Sequence, residues 1–265
     1  MTLTFILLAL VIWRFQFTEC IKIYHEADVD GDAKENEFPF MVQLQRFWVV
    51  SYLQQCGGSL LTPSWVLTAA HCNEYQPKLQ ALAGTRVRND RTNGQRRAVV
   101  RFIAHERYVL DGKTHPYDIA LALVEKPFLV DGVSVATIEL WASVRPDLSE
   151  PDVLAVMGYG KIDENDTQPD VLQTVAVHFR PSKECDDDPA PIGTLCIGSP
   201  GSTACQGDSG GPVVGWGEDG IPRQIGVVSF GSQTCGAGPI TCTDVTAYID
   251  WVNGTISNGS EGLPQ

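Results

Sequence analysis

Three separated segments carry side chains that could act together on an acyl group. "LTAAHC" holds His71, "YDIALALV" holds Asp118 and "GDSGGP" holds Ser209. A serine hydroxyl is a poor nucleophile until a base takes its proton. An imidazole can do so near neutral pH, if its tautomer is fixed and the charge it gains is steadied. A buried carboxylate does both. Singly, each residue has a plainer reading: a histidine beside a disulfide cysteine, an aspartate opening a strand, a serine in a glycine-rich turn. Together, in the order His, Asp, Ser and with these flanks, they favour the reactive reading. Only a fold can bring residues this far apart in sequence to one point.

The elements that must position them read as strands. Short apolar runs recur along the chain: "FMVQLQ", "WVLTAA", "AVVRFIAH", "IALALV", "VLAVMGYG", "VLQTVAVHF", "GPVVGW" and "QIGVVSF". Gly, Pro, Asn and Asp clusters separate them, which is the pattern of an all-β barrel or sandwich. The one clear helix is terminal. "DVTAYIDWVNG" sets Val245, Ile249 and Val252 at helical spacing, with Gly254 as a stop, and residues 256–265 read as a flexible tail.

The chain has 265 residues, 43% of them apolar, enough for a real core. Its formal net charge of −13 argues against nucleic acid as a partner. Seven arginines (Arg86, Arg88, Arg91, Arg96, Arg97, Arg101 and Arg107) nonetheless fall within 22 residues. A solvated strand face is preferred for them over a patch for an acidic partner. Residues 1–20 read as an export signal: "FILLALVIW" is too short to span a bilayer, and Thr18 and Cys20 suit the −3 and −1 positions of a cleavage site. A retained membrane anchor is the competing reading. Removal of the signal predicts a secreted protein free of the membrane and leaves seven of the eight cysteines, for which disulfides are the natural state. No cysteine or histidine spacing suggests zinc, and no metal or organic cofactor is expected. Asn165, Asn253 and Asn258 head candidate glycan-acceptor triplets.

From about Phe38 to Val252 the chain resembles the chymotrypsin-like (trypsin-fold) serine proteases. "FPFMVQL" is similar to that family's first strand, and "CGGSLLTPSWVLTAAHC" to its run from a disulfide cysteine to the catalytic histidine. "MGYG" stands where the family usually has Gly-Trp-Gly. "VVSFGS" is similar to the strand that edges the substrate cleft, with Phe230 where tryptophan is usual. The resemblance implies two six-stranded antiparallel β-barrels with the active site in the crevice between them. It implies disulfides Cys56–Cys72, Cys185–Cys196 and Cys205–Cys235, and an oxyanion hole built from the N–H groups of Gly207 and Ser209. It implies protein or peptide substrates, protein protease inhibitors as partners, and a monomer. Calcium binds some relatives in a loop after the catalytic histidine; the matching stretch here is Arg-rich, so no such site is expected.

The same resemblance puts Thr203 at the floor of the specificity pocket, where an uncharged residue would leave a basic side chain unpaired. Gly231 leaves the mouth open, Ile240 shortens the cavity, and Ser229, Phe230 and Gly231 pair with the substrate backbone. Small or medium apolar residues before the scissile bond are therefore expected. Cys242 reads as a buried, inert thiol, the alternative being a bridge to a retained Cys20. Family members are usually activated when a freed Ile or Val ammonium pairs with the Asp before the nucleophile, here Asp208. No "IVGG" is present. A cut after Lys22 would free Ile23, making residues 21–22 a short propeptide and 23–255 the protease domain. The expected activity is a secreted serine endopeptidase. The alternative is a non-catalytic homologue that acts by binding, and more distantly a lipolytic or carbohydrate-active hydrolase, although the nucleophile lacks the GxSxG elbow.

Overall fold

A computed structural model describes residues 30–74, 78–109, 116–142, 153–185, 192–199, 201, 203–217, 219–232 and 234–259. Fourteen strands account for most of the regular structure among them: β1 (Gly31–Asp32), β2 (Met41–Trp48), β3 (Ser51–Thr62), β4 (Trp65–Thr68), β5 (Leu79–Ala83), β6 (Gln95–Ala104), β7 (Ala120–Val124), β8 (Glu139–Leu140), β9 (Leu154–Gly158), β10 (Gln173–Phe179), β11 (Thr194–Gly198), β12 (Pro212–Trp216), β13 (Pro222–Phe230) and β14 (Ile240–Asp244). Every apolar run singled out in the sequence lies on one of them.

The strands close into two barrels. The first runs β2-β3-β4-β7-β6-β5. The second runs β10-β11-β14-β13-β12-β9 and closes where β9 pairs with β10. β1 adds to β10 and β8 adds to β13 outside that ring. Closure removes the exposed edges that an open sheet would present. Strands whose every residue is buried, such as "ALALV" of β7 and "LAVMG" of β9, lack the alternation of a half-buried strand. The first barrel buries Val42, Leu44, Leu60 and Val66 on one face of its strands and Leu67, Leu121 and Leu123 on the other. The second packs Leu154, Val156, Ile197, Val213 and Ile225.

The terminal helix α1 (Ile249–Gly259) follows a single 3-10 turn, Val245–Tyr248, capped where the Asp244 carboxylate accepts from the Thr246 N–H at 2.9 Å. It does not stop at Gly254, and it takes in residues 256–259, expected from the sequence to be tail. The reason is packing. Val252 is buried in the first barrel's core and Ile256 packs against it. Gly259 lies against Trp65, where an added Cβ would come within 2.5 Å of the indole. A mid-helix glycine costs about 1 kcal/mol, which the apolar contacts of Ile256 and Gly259 beyond it offset. The last residues of the chain lie outside the described set.

Among the described residues three disulfides form, Cys56–Cys72, Cys185–Cys196 and Cys205–Cys235, and Cys242 is a buried free thiol whose pKa burial raises; Cys20 lies outside the described residues. Several of the clustered arginines are spent within the fold. Arg86 bonds Glu35 and the Ala33 carbonyl, Arg88 bonds Gln168 and the Pro169 carbonyl, and Arg97 lies over Phe128.

Candidate active site

Each of the three reactive residues is placed by a different turn, and the barrels converge on them. His71 sits in a 3-10 turn, Ala70–Asn73, at the end of β4. The Cys56–Cys72 bridge ties that turn to β3. His71 lies close to both sulfurs, but they are bonded to each other, so this cluster offers no thiolate for a metal. Asp118 lies just before β7, fully buried, and its carbonyl accepts from Thr243 of β14 at 2.7 Å. The turn that carries Ser209 is clamped from both sides. Gly57 of β3 donates to the Ser209 carbonyl at 2.8 Å, and the Gly210 N–H donates to the Val228 carbonyl of β13 at 2.8 Å.

The Asp118 carboxylate organises the histidine through two bonds. One oxygen accepts the His71 backbone N–H at 3.0 Å; the other faces His71 Nδ1 at 2.7 Å. Ser229 Oγ donates to that second oxygen as well. The sequence offered Ser229 as a partner for substrate backbone. Its hydroxyl, a group separate from that backbone pairing, points inward to Asp118, which only the meeting of β13 with the β6–β7 connection reveals. Burial works against charge on Asp118, but the His71 and Ser229 hydrogen bonds and the His71 charge outweigh it and hold its pKa below the usual carboxylate value. On His71, burial likewise disfavours the imidazolium; the hydrogen bond and charge of Asp118, helped by Glu74, outweigh it and raise the pKa above the ordinary 6.5.

The backbone before Ser209 needs glycine. Gly207 has φ +105°, and a Cβ there would come within 2.9 Å of the Gly160 backbone. Its carbonyl is held by Gln54 Nε2 at 2.7 Å, a contact across the barrels that the sequence did not suggest.

A cavity of 160 Å³ opens beside Ser209. It is lined by Ala204, Gln206, Val228, Ser229, Phe230, Gly231, Ser232 and Ile240, with no carboxylate among these residues. Ile240 is buried under the mouth: a Cβ on Gly231 would lie 2.5 Å from its Cγ2. Thr203, expected at the floor, instead lines a neighbouring cavity of 280 Å³, and its buried hydroxyl has no partner among the described residues. Ala204, one residue on, lines both that cavity and the one beside Ser209.

Asp208 also lines the larger cavity. Gly158 and Gly160 make room for its carboxylate, since a side chain on either would run into it. The Gly160 and Cys205 N–H groups donate to its two oxygens at 2.7 and 2.8 Å. Burial nevertheless dominates and pushes its pKa up to about 6. Ile23 lies outside the described residues. Asn165, Asn253 and Asn258 are all exposed, the latter two on α1.

The chain matches the family model described as Trypsin over residues 29–252. It is 32% identical over 250 residues to the Lectizyme of Glossina austeni, covering 88% of this chain and 87% of that protein. It is 34% identical over 237 residues to Trypsin eta of Drosophila melanogaster, covering 84% of this chain and 85% of that protein. With two closed barrels, His71 held on the Asp118 carboxylate, and the Ser209 turn bonded to a strand of each barrel, this chain belongs to the trypsin family of serine endopeptidases.

Proposed function

We propose that the chain is a secreted endopeptidase that cleaves after small or medium apolar residues, with His71, Asp118 and Ser209 as its catalytic groups. The observation that carries the assignment of roles is the 2.7 Å contact between His71 Nδ1 and Asp118 Oδ2. It commits Nδ1, so Nε2 is the nitrogen that takes the Ser209 proton. The Ser209 oxygen then attacks the scissile carbonyl, and the N–H groups of Gly207 and Ser209 receive the oxyanion. Losing one such donor typically costs about 3–4 kcal/mol of transition-state stabilisation. His71 returns the proton to the leaving amine, and water releases the acyl group by the reverse sequence.

Specificity follows from the cavity beside Ser209. Without a lining carboxylate, a Lys or Arg side chain would enter unpaired. Ile240 limits depth. Ile240→Ala should raise kcat/KM for a substrate with phenylalanine before the scissile bond by about tenfold relative to one with alanine, since each methylene of pocket space carries about 1–3 kcal/mol. The same change lowers stability by about 2–5 kcal/mol, because Ile240 is buried. Paired assays on the two substrates separate the effects.

The pH dependence has a definite sign. Only neutral His71 can accept the serine proton, and its pKa is raised. Activity should therefore climb with pH through a midpoint above 6.5 and level off in mildly alkaline solution. Stability from the raised His71 pKa runs the other way: it is fully present below 6.5 and is lost as pH rises through the folded value, while that from the lowered Asp118 pKa is lost only in acid. A kcat/KM profile with its midpoint below 6.5 refutes this.

Activation is read at Asp208. An ionised carboxylate in that cavity is costly alone, and an entering ammonium would offset the cost. Ile23, freed by a cut after Lys22, is the proposed donor. The test is to collect the secreted chain, sequence its N-terminus and label it with a peptidyl phosphonate carrying valine next to phosphorus. A start at Ile23 with the label on Ser209 supports the enzyme. An unprocessed start without label would make the chain a binding homologue.

A further inference from the structure

Beyond Arg46 the β2–β3 hairpin leaves the barrel. The pairing of β2 with β5 ends at Arg46 and Leu79, and that of β3 with β4 begins only at Ser59. Residues 47–53 continue as a two-stranded ribbon, pairing Phe47 with Tyr52 and Trp48 with Ser51. Its tip is apolar, and exposure grows along it: Trp48 is 55% exposed, Val49 76% and Val50 85%. Phe47 and Leu53 are exposed behind them. A two-residue hairpin turn favours Asn or Gly where φ is positive. Here that place is taken by Val49, with φ 54°, a strained choice for a β-branched residue. Folding alone would be better served by a polar turn.

We propose that this hairpin tip inserts into the interfacial layer of a phospholipid bilayer, with Arg46 and Lys78 facing lipid phosphates. Four features favour a bilayer over a protein partner. The tip is convex, so a protein would need a matching pit, whereas lipid conforms to it. The ribbon's backbone bonds are made within the hairpin and to the Lys78 carbonyl, so entry strands few polar groups. The aromatic and basic residues sit behind the valines, as at a membrane interface: Arg46 lies 4.7 Å over the Trp48 ring, Phe47 packs edge-on to Tyr52, and Lys78 is exposed at the base. Finally, residues 38–73 contain no Asp or Glu, in a chain that has 32. The hairpin thus carries Arg46 and no carboxylate of its own, despite the acidity of the whole. Contact of this kind is interfacial anchoring rather than spanning. It departs from the sequence expectation of a protein free of the membrane, which weighed only long apolar runs.

The test uses the secreted full chain and sucrose-loaded vesicles of phosphatidylcholine, with and without phosphatidylserine. The wild-type chain should co-sediment with both, more strongly with phosphatidylserine, and its tryptophan fluorescence should be quenched by brominated acyl chains. The variant Val49→Asp/Val50→Asp should lower the partition at least tenfold. Trp48→Phe should keep the partition but lose most of the quenching. Arg46→Gln/Lys78→Gln should abolish the gain from phosphatidylserine. Unchanged thermal unfolding and small-peptide hydrolysis establish that the variants are folded. Failure of the wild type to sediment overturns the proposal, as does undiminished sedimentation of the double-aspartate variant. Loss of protein-substrate cleavage in that variant without any vesicle binding also overturns it, and marks the tip as a docking site for substrate. None of these outcomes bears on the roles of His71, Asp118 and Ser209.

Discussion

Replacing Ser209 by alanine should lower kcat for peptide hydrolysis on the order of a millionfold, with KM nearly unchanged. The expectation is this large because, in the proposed mechanism, the hydroxyl oxygen is the atom that bonds to the acyl carbon, and no other residue lining the cavity stands in for it. The fold should scarcely notice. The contacts that hold this turn run through backbone: Gly57 N–H to the Ser209 carbonyl, and Gly210 N–H to the Val228 carbonyl. The side chain itself is partly exposed, and a substitution of this kind usually changes stability by no more than about 0.5 kcal/mol. Single-turnover kinetics on an activated peptide ester, with a thermal melt alongside, check both halves. A variant that keeps a hundredth of the parent rate would remove Ser209 from the mechanism.

Asp118→Asn should lower kcat by about ten thousandfold, by a different route. Three donors converge on this carboxylate: the His71 N–H, the His71 ring and Ser229 Oγ. A carboxylate accepts from all of them, but an amide has one oxygen and must turn its NH₂ towards some. If the NH₂ faces His71 Nδ1, that nitrogen becomes an acceptor and the ring proton moves to Nε2, the position that must be empty to take the serine proton. If the NH₂ faces elsewhere, a buried donor meets a donor, which costs about 1–3 kcal/mol. Because Asp118 supplies both the hydrogen bond and the charge that raise the His71 pKa, the midpoint of the pH–rate profile should also fall. That displacement distinguishes orientation and charge from mere packing. A profile that keeps its midpoint while losing amplitude would contradict it.

The strands that could be read from sequence were those with enough buried apolar residues in a row. β7 and β9 announce themselves in this way, as does β13. β11 (Thr194–Gly198) and β14 (Ile240–Asp244) do not. They are short and mix cysteine, threonine and glycine, and they are strands because together they bridge the gap between β10 and β13. The helix end shows the same limit. Gly254 is a sound stop by local rules, and it is overruled by Val252, Ile256 and Gly259 meeting the first barrel. At the site, the order His, Asp, Ser was legible because each residue sits in a distinctive run. The inward turn of Ser229 and the grip of Gln54 on Gly207 were not, since both join residues more than 100 positions apart. Nor was it legible that Thr203 lines a cavity shared with Asp208, since that depends on how the two walls of the cavity pack.

By itself the sequence determined the chemistry available to this protein. It supplied a hydroxyl among glycines, an imidazole, a carboxylate beside an apolar run, and the recurring short runs that call for packed β-sheets. Side-chain identity and local spacing are one-dimensional facts, and these features depend on nothing else. Tertiary structure alone decided which polar groups share one carboxylate, which side chains face the Ser209 cavity, where the last helix ends, and that an apolar ribbon stands clear of the barrel. Those outcomes depend on distances between segments remote along the chain, and such distances are set only when both barrels have closed and packed against each other.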